Sequence, residues 1–145
     1  MSIYGGMREV KRNKCFIDTS ALIALNHVKD QYHYKARDIS TKLKNYDFMI
    51  SEAVITETYS LLRYRLGFYI AHYFLKTVLT GPPFIIPNVT TSTREKTLQI
   101  LQQFNDQDIS YCDALTVALM KEHNIEKVFA FDYHFEVMGV KLIRI

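Results

Sequence analysis

The chain has 145 residues and a mass near 17.0 kDa, with 48% hydrophobic and 23% charged residues. That suits one domain with a sizeable core, excludes wholesale disorder, and leaves no apolar run near the roughly 20 residues that span a bilayer. The net charge of +3, from 18 basic and 15 acidic residues, is too slight to establish nucleic-acid binding by itself. Cys15 and Cys112 make neither a disulfide framework nor a zinc pattern, which suits a reducing, cytoplasmic compartment.

Residues 1–13 read as a basic extension, solvated and disordered, with Arg8, Lys11 and Arg12 against Glu9 alone. An RNA-contacting arm is the alternative, and Met7 offers a second start. One domain then covers 14–145. Residues 14–17 form a short apolar strand that runs into Asp18-Thr19-Ser20 and the helix ALIAL. A surface helix is predicted over 30–43, a strand over 47–50, and a helix from a Ser51 cap to 66, ended by Gly67. An apolar helix follows over 68–79, with Gly81, Pro82 and Pro83 beyond it, and a brief strand over 84–86. Ser92 and Glu95 have capping-box spacing for a helix to Phe104. Ser110 opens another helix that ends near Asn124, and strands over 128–131 and 140–145 complete the chain. Short apolar strands alternating with helices predict a parallel sheet covered on both faces, with ligands beyond the carboxyl ends of its strands.

The acids stand out against this frame. Strand 14–17 runs into Asp18 and strand 128–131 into Asp132, so in one parallel sheet both carboxylates emerge at the same edge. Either alone reads as a turn or cap residue; their shared position favours more. Glu57 falls at i+3 from Val54 and i−4 from Leu61, on the apolar stripe of its helix, where an ionised carboxylate is costly without a cation or donor. A salt bridge to Arg63 or Arg65, or a side chain reaching solvent, are the other readings. Asp113 fits a first-turn acid after the Ser110 cap. Carboxylates brought together repel by about 4 kcal/mol per pair at 4 Å and an effective dielectric near 20. Convergence therefore implies a cation, and Mg2+ or Mn2+ suits an all-oxygen site. Metal-assisted phosphodiester hydrolysis is the leading chemistry.

The segments CFIDTSALIAL, ISEAVITETYSLLRYRLG, DQDISYCDALTVALM and VFAFDYHFEVMGVKLI, in this order, resemble the PIN-domain family and, within it, the VapC-type toxins of toxin–antitoxin pairs. The resemblance covers nearly the whole chain from Lys14. It implies a three-layer α/β/α sandwich around a mainly parallel sheet and an RNA endonuclease using Mg2+ or Mn2+. It makes Asp18, Glu57, Asp113 and Asp132 the metal ligands and catalytic acids. Thr19 and Ser110 would orient carboxylates or the attacking water. Arg63, Arg65 and His134 are candidate RNA contacts. A homodimer and an antitoxin partner are also implied, with helix 68–79 offering apolar surface for the dimer; the short apolar runs predict no membrane association.

Two other acid-rich families fit poorly. A haloacid-dehalogenase-like phosphatase needs a second Asp where Ser20 stands. A response-regulator receiver needs an acidic pair at its first strand, where Ile17 precedes Asp18, and a Lys after a late strand, where Tyr133 follows Asp132. A non-catalytic RNA-binding or scaffolding module stays open.

Overall fold

Alternation along β1 (Asn13–Ile17) builds two cores at once. Cys15 and Ile17 enter one apolar cluster and Phe16 the other, because successive side chains leave a strand on opposite faces. The same split recurs in β4 (Lys127–Phe129), where Phe129 joins the first cluster and Val128 the second. β2 (Tyr46–Met49), β3 (Phe84–Ile85) and β5 (Lys141–Leu142) complete a five-stranded sheet of order β3-β2-β1-β4-β5, parallel at every pairing. Phe16 pairs with Met49 on one side and Val128 on the other. The chain winds outward from β1 to β3, then returns to β4. This leaves a crevice between the carboxyl ends of β1 and β4, where such sheets bind ligands.

The structure is a computed structural model that describes residues 12–144. Arg8, Lys11 and the alternative start Met7 lie outside the described residues. Arg12 and Asn13, read from the sequence as part of the extension, belong to the fold: Asn13 is in β1, and the Arg12 guanidinium pairs with Asp47 at 2.8 Å.

Helices cover both faces. α1 (Thr19–Asn26), α2 (His33–Lys42), α3 (Glu52–Leu66) and α4 (Phe68–Leu79) pack on the first cluster through Leu22, Ile39, Val54, Leu62 and Phe74. α5 (Thr91–Gln103) and α6 (Tyr111–Glu122) supply Ile100, Leu115 and Met120 to the second, where Phe135 of the short α7 (His134–Val137) is also buried. Each large side chain fully buried here, such as Phe16, Phe129 or Phe135, contributes about 1.5–3 kcal/mol. The result is the expected three-layer sandwich. Gly67, at φ 94, serves as C-cap of α3 and N-cap of α4, a left-handed position that favours glycine. No helix among the described residues is long and apolar enough to cross a membrane.

Several boundaries differ from the sequence expectation. α5 is capped by Thr90 and Thr93, not by Ser92 and Glu95: each threonine hydroxyl accepts from the other's backbone N–H, at 3.2 and 3.1 Å. Thr93 is also buried and donates to Glu122 at 3.0 Å, so a contact with α6 fixes the register. β4 and β5 are shorter than predicted, and α7 was not anticipated.

Candidate active site

Asp18 follows β1 and caps α1. Its backbone N–H reaches across the crevice to the Phe129 carbonyl of β4 at 3.0 Å. Its Oδ2 accepts from Ser20 N at 3.1 Å and from Ser20 Oγ at 2.7 Å. Ser20 Oγ in turn accepts from Phe131 N at 3.0 Å, which ties the end of β4 to the same carboxylate. The other oxygen, Oδ1, is buried with no hydrogen-bond partner among the described residues, and the residue is only 4% exposed. A lone buried carboxylate oxygen costs free energy unless a ligand meets it.

Asp132 leaves the end of β4. Its Oδ1 accepts from His134 N at 2.9 Å and lies 3.0 Å from His134 Nδ1, so both the backbone and the ring of His134 brace it. Asp113 sits in the first turn of α6, whose cap Ser110 accepts from Asp113 N at 3.0 Å. Glu57 reaches in from α3. Asp18, Glu57, Asp113 and Asp132, from four separate elements, line one cleft of about 390 Å3, together with Thr19, Ser20, Ser110 and Arg65.

The electrostatics record this convergence. Asp113 is pushed up from 3.8 to about 7, by burial first and then by the charges of Asp18 and Asp132, with Ser110 opposing and Glu57 adding. Asp18 is also raised, chiefly by burial and against the hydrogen bonds from Ser20, with Glu57 adding to the rise. Burial and then Glu57, Asp18 and Asp113 hold the nearby Cys112 thiol far above its usual range. A divalent cation would offset the carboxylate repulsion that adds to all three shifts.

The donor set fits a hard ion in a particular way. Among the described residues, no three His, Cys, Asp or Glu side chains are gathered into a ready coordination sphere. Mg2+ keeps several of its waters and needs only one or two direct carboxylates, so four acids around a roomy cleft suit it better than a closed cage would. The buried Asp18 Oδ1 is the first candidate for a direct bond.

Several side chains differ from the sequence expectation. Glu57 is exposed at the cleft rather than on the core stripe, which runs through Val54, Ile55, Thr58 and Leu62. Among the described residues it forms no ion pair with Arg63 or Arg65. The hydroxyl that holds Asp18 belongs to Ser20; that of Thr19 instead accepts from buried Thr58 at 3.1 Å, locking α1 to α3. Arg65 lines the cleft, whereas the Arg63 guanidinium sits over the Phe68 ring, 5.8 Å from its centroid. Sequence reasoning missed Ser20, Thr58 and the cleft residues Asp30 and Tyr32. The two-residue spacing from Asp18 to Ser20 was the available signal, because a capping Asp commonly meets the group two residues on.

A family model described as PIN domain matches residues 15–141. Two curated proteins from Mycobacterium tuberculosis strains, CDC 1551 / Oshkosh and ATCC 25618 / H37Rv, are each named 23S rRNA-specific endonuclease VapC20. Both are 28% identical over 129 residues, spanning 89% of this chain and 97% of theirs. The crystal structure of M. tuberculosis VapC20, described as a sarcin-ricin loop cleaving toxin, superposes with a TM-score of 0.83 at 27% identity, covering 90% of this chain and 99% of that one. VapBC2 from Rickettsia felis, crystallised with a DNA fragment from its promoter, gives 0.66 at 14% identity over 90% and 98%, a likeness of fold alone.

Proposed function

The chain belongs to the PIN-domain family, and from that premise we propose that it is a divalent-metal-dependent endoribonuclease acting as the toxin of a toxin–antitoxin pair. One observation carries the reading: four carboxylates from four elements meet in one cleft, around a buried carboxylate oxygen with no partner. Asp18, Glu57, Asp113 and Asp132 would hold Mg2+ or Mn2+. When bound, such an ion supplies charge neutralisation for phosphate and a more acidic water.

The chain's own residues do the positioning. Ser20 fixes Asp18 and His134 fixes Asp132, so two of the acids are held by hydrogen bonds before any substrate arrives. Ser110 orders the first turn that carries Asp113. Arg65 presents a cation at the cleft wall for a phosphate.

VapC20's described action on 23S rRNA supports ribosomal RNA as the substrate class. The likeness to VapC20, named for its action on 23S rRNA, supports the cytoplasm as the compartment. The toxin role brings a cognate antitoxin as partner. A homodimer is supported by α4, which buries Ala71, Phe74 and Val78 yet exposes Tyr69, Ile70 and Tyr73 on another face.

The test is incubation of purified protein with ribosomal RNA and Mn2+, beside Glu57→Gln and a chelated control. Discrete fragments from the wild type alone support the nuclease. RNA bound but uncut by the wild type would favour the non-catalytic module instead.

A further inference from the structure

The turn after β4 reads Phe131-Asp132-Tyr133. Asp132 lines the acidic cleft, while its neighbours Phe131 and Tyr133 line a second cavity of about 380 Å3. Tyr32 belongs to the walls of both. Its ring stacks on Phe131 with centroids 4.5 Å apart and planes within 1°. The remaining lining includes the apolar side chains of Ile39, Ala130 and Leu142.

The rim is polar and basic. Arg144 donates to Glu136 at 2.6 Å, so these two charges cancel. Lys35 forms no ion pair among the described residues. Tyr133 is 63% exposed and Tyr32 37%, with Tyr133 braced by the His134 ring at 4.5 Å. Neither ring is needed to fill the core.

We propose that this cavity is a nucleobase subsite: it receives an unstacked base of the RNA whose backbone lies in the acidic cleft. The proposal rests on the nuclease reading and extends it to substrate recognition. Flat aromatic walls and an apolar lining complement a base that has left its stack, and a single uncancelled ammonium complements the phosphate beside it. The shared Tyr32 wall makes the base a near neighbour of the phosphate in the cleft. The Phe-Asp-Tyr turn thereby serves both sites, with its acid toward the one and its aromatics toward the other.

The experiment measures binding by fluorescence anisotropy in the Glu57→Gln background, with metal present. The probes are a short random-sequence single-stranded RNA and a base-free ribose-phosphate chain of the same length. Tyr133→Ala weakens binding of the base-bearing RNA by about 5- to 150-fold and leaves the base-free chain unaffected. Tyr133→Phe keeps the stacking face and stays close to the parent. Lys35→Ala weakens both probes alike and lowers the salt dependence. Because Tyr133 is exposed, an unchanged melting temperature is expected for its variants.

Equal binding of the two probes by the parent overturns the subsite. Unchanged affinity in Tyr133→Ala also overturns it. The two readings fail separately: base preference through Tyr133 without cleavage by the wild type removes the nuclease and keeps the subsite. Cleavage without base preference does the reverse.

Discussion

Ser20 holds Asp18 through its side-chain hydroxyl, 2.7 Å from Oδ2, while accepting the Phe131 N–H from the far side of the crevice. One small residue thus couples the ends of two strands and aims the carboxylate that caps α1. Ser20→Ala leaves Phe131 N–H without its acceptor and Asp18 Oδ2 with only the Ser20 backbone bond. The expected loss is about 1–3 kcal/mol of stability, together with slower single-turnover cleavage because Asp18 is no longer held. Denaturant melts and cleavage rates check both. A variant as stable and as active as the wild type would show that the bridge does not position Asp18.

The buried Asp18 Oδ1 makes this carboxylate the most sensitive reporter of a cation. An ion that binds only the folded state adds about 2.7 kcal/mol at 100 times its dissociation constant. For a chain of this size the melting temperature should rise by about 5–10 °C with Mn2+. Asp18→Asn removes one negative charge and most of that rise. An equal rise in both proteins would rule Asp18 out as a ligand.

Asp18 was legible because the geometry is local: β1 ends at Ile17 and Asp18 follows at once, which places its carboxylate at the sheet edge. Asp132 stands three residues beyond the end of β4, with Ala130 and Phe131 between, and still reaches the same cleft. Glu57 reaches the cleft from outside the apolar stripe on which the sequence places it. The buried stripe of α3 passes through Thr58, a polar residue at 0% exposure that does not register as core in the sequence. Thr58 is buried where α3 meets α1, and its hydroxyl is satisfied by Thr19, 39 residues away. Thr90 and Thr93 were hidden in the same way, since the contact with Glu122 decides which cap forms. α7 has four residues, too few to show a helical period.

Asp113 gives the metal-free protein a defined pH dependence. Burial and the charges of Asp18 and Asp132 push its carboxyl up to about 7 in the native state, against an ordinary 3.8 once unfolded. Between those values the native state keeps a proton that the unfolded chain has released. Stability therefore falls as pH rises through about 4 to 7, in the direction that linkage requires. Asp113→Asn has nothing to titrate, so its profile should be flatter and its melting temperature higher at the upper end. Mn2+ should bind more tightly with rising pH over the same window, because a ligand carboxylate must lose its proton. Chelated melting curves at a series of pH values check the first point. Parallel profiles for the two proteins would contradict it.

Asp113 and Ser110 can be separated because their side chains do different things. Ser110 Oγ accepts the Asp113 N–H and so caps α6, whereas the Asp113 carboxyl lines the cleft. Ser110→Ala removes the cap and leaves all four acids. It should cost about 1 kcal/mol of stability and reduce cleavage only in part. Asp113→Asn leaves the cap bond in place, since that bond uses the backbone N–H. Its stability in chelated buffer should hold or rise, as desolvation of a charge and the repulsion from Asp18 and Asp132 are both relieved. Cleavage, measured as a single turnover with saturating Mn2+, should collapse. The pair of variants forms a crossed test in which the less stable protein is the more active one. If Asp113→Asn instead cuts at the wild-type rate, its carboxylate serves the fold alone and the metal site must be rebuilt from the other three acids.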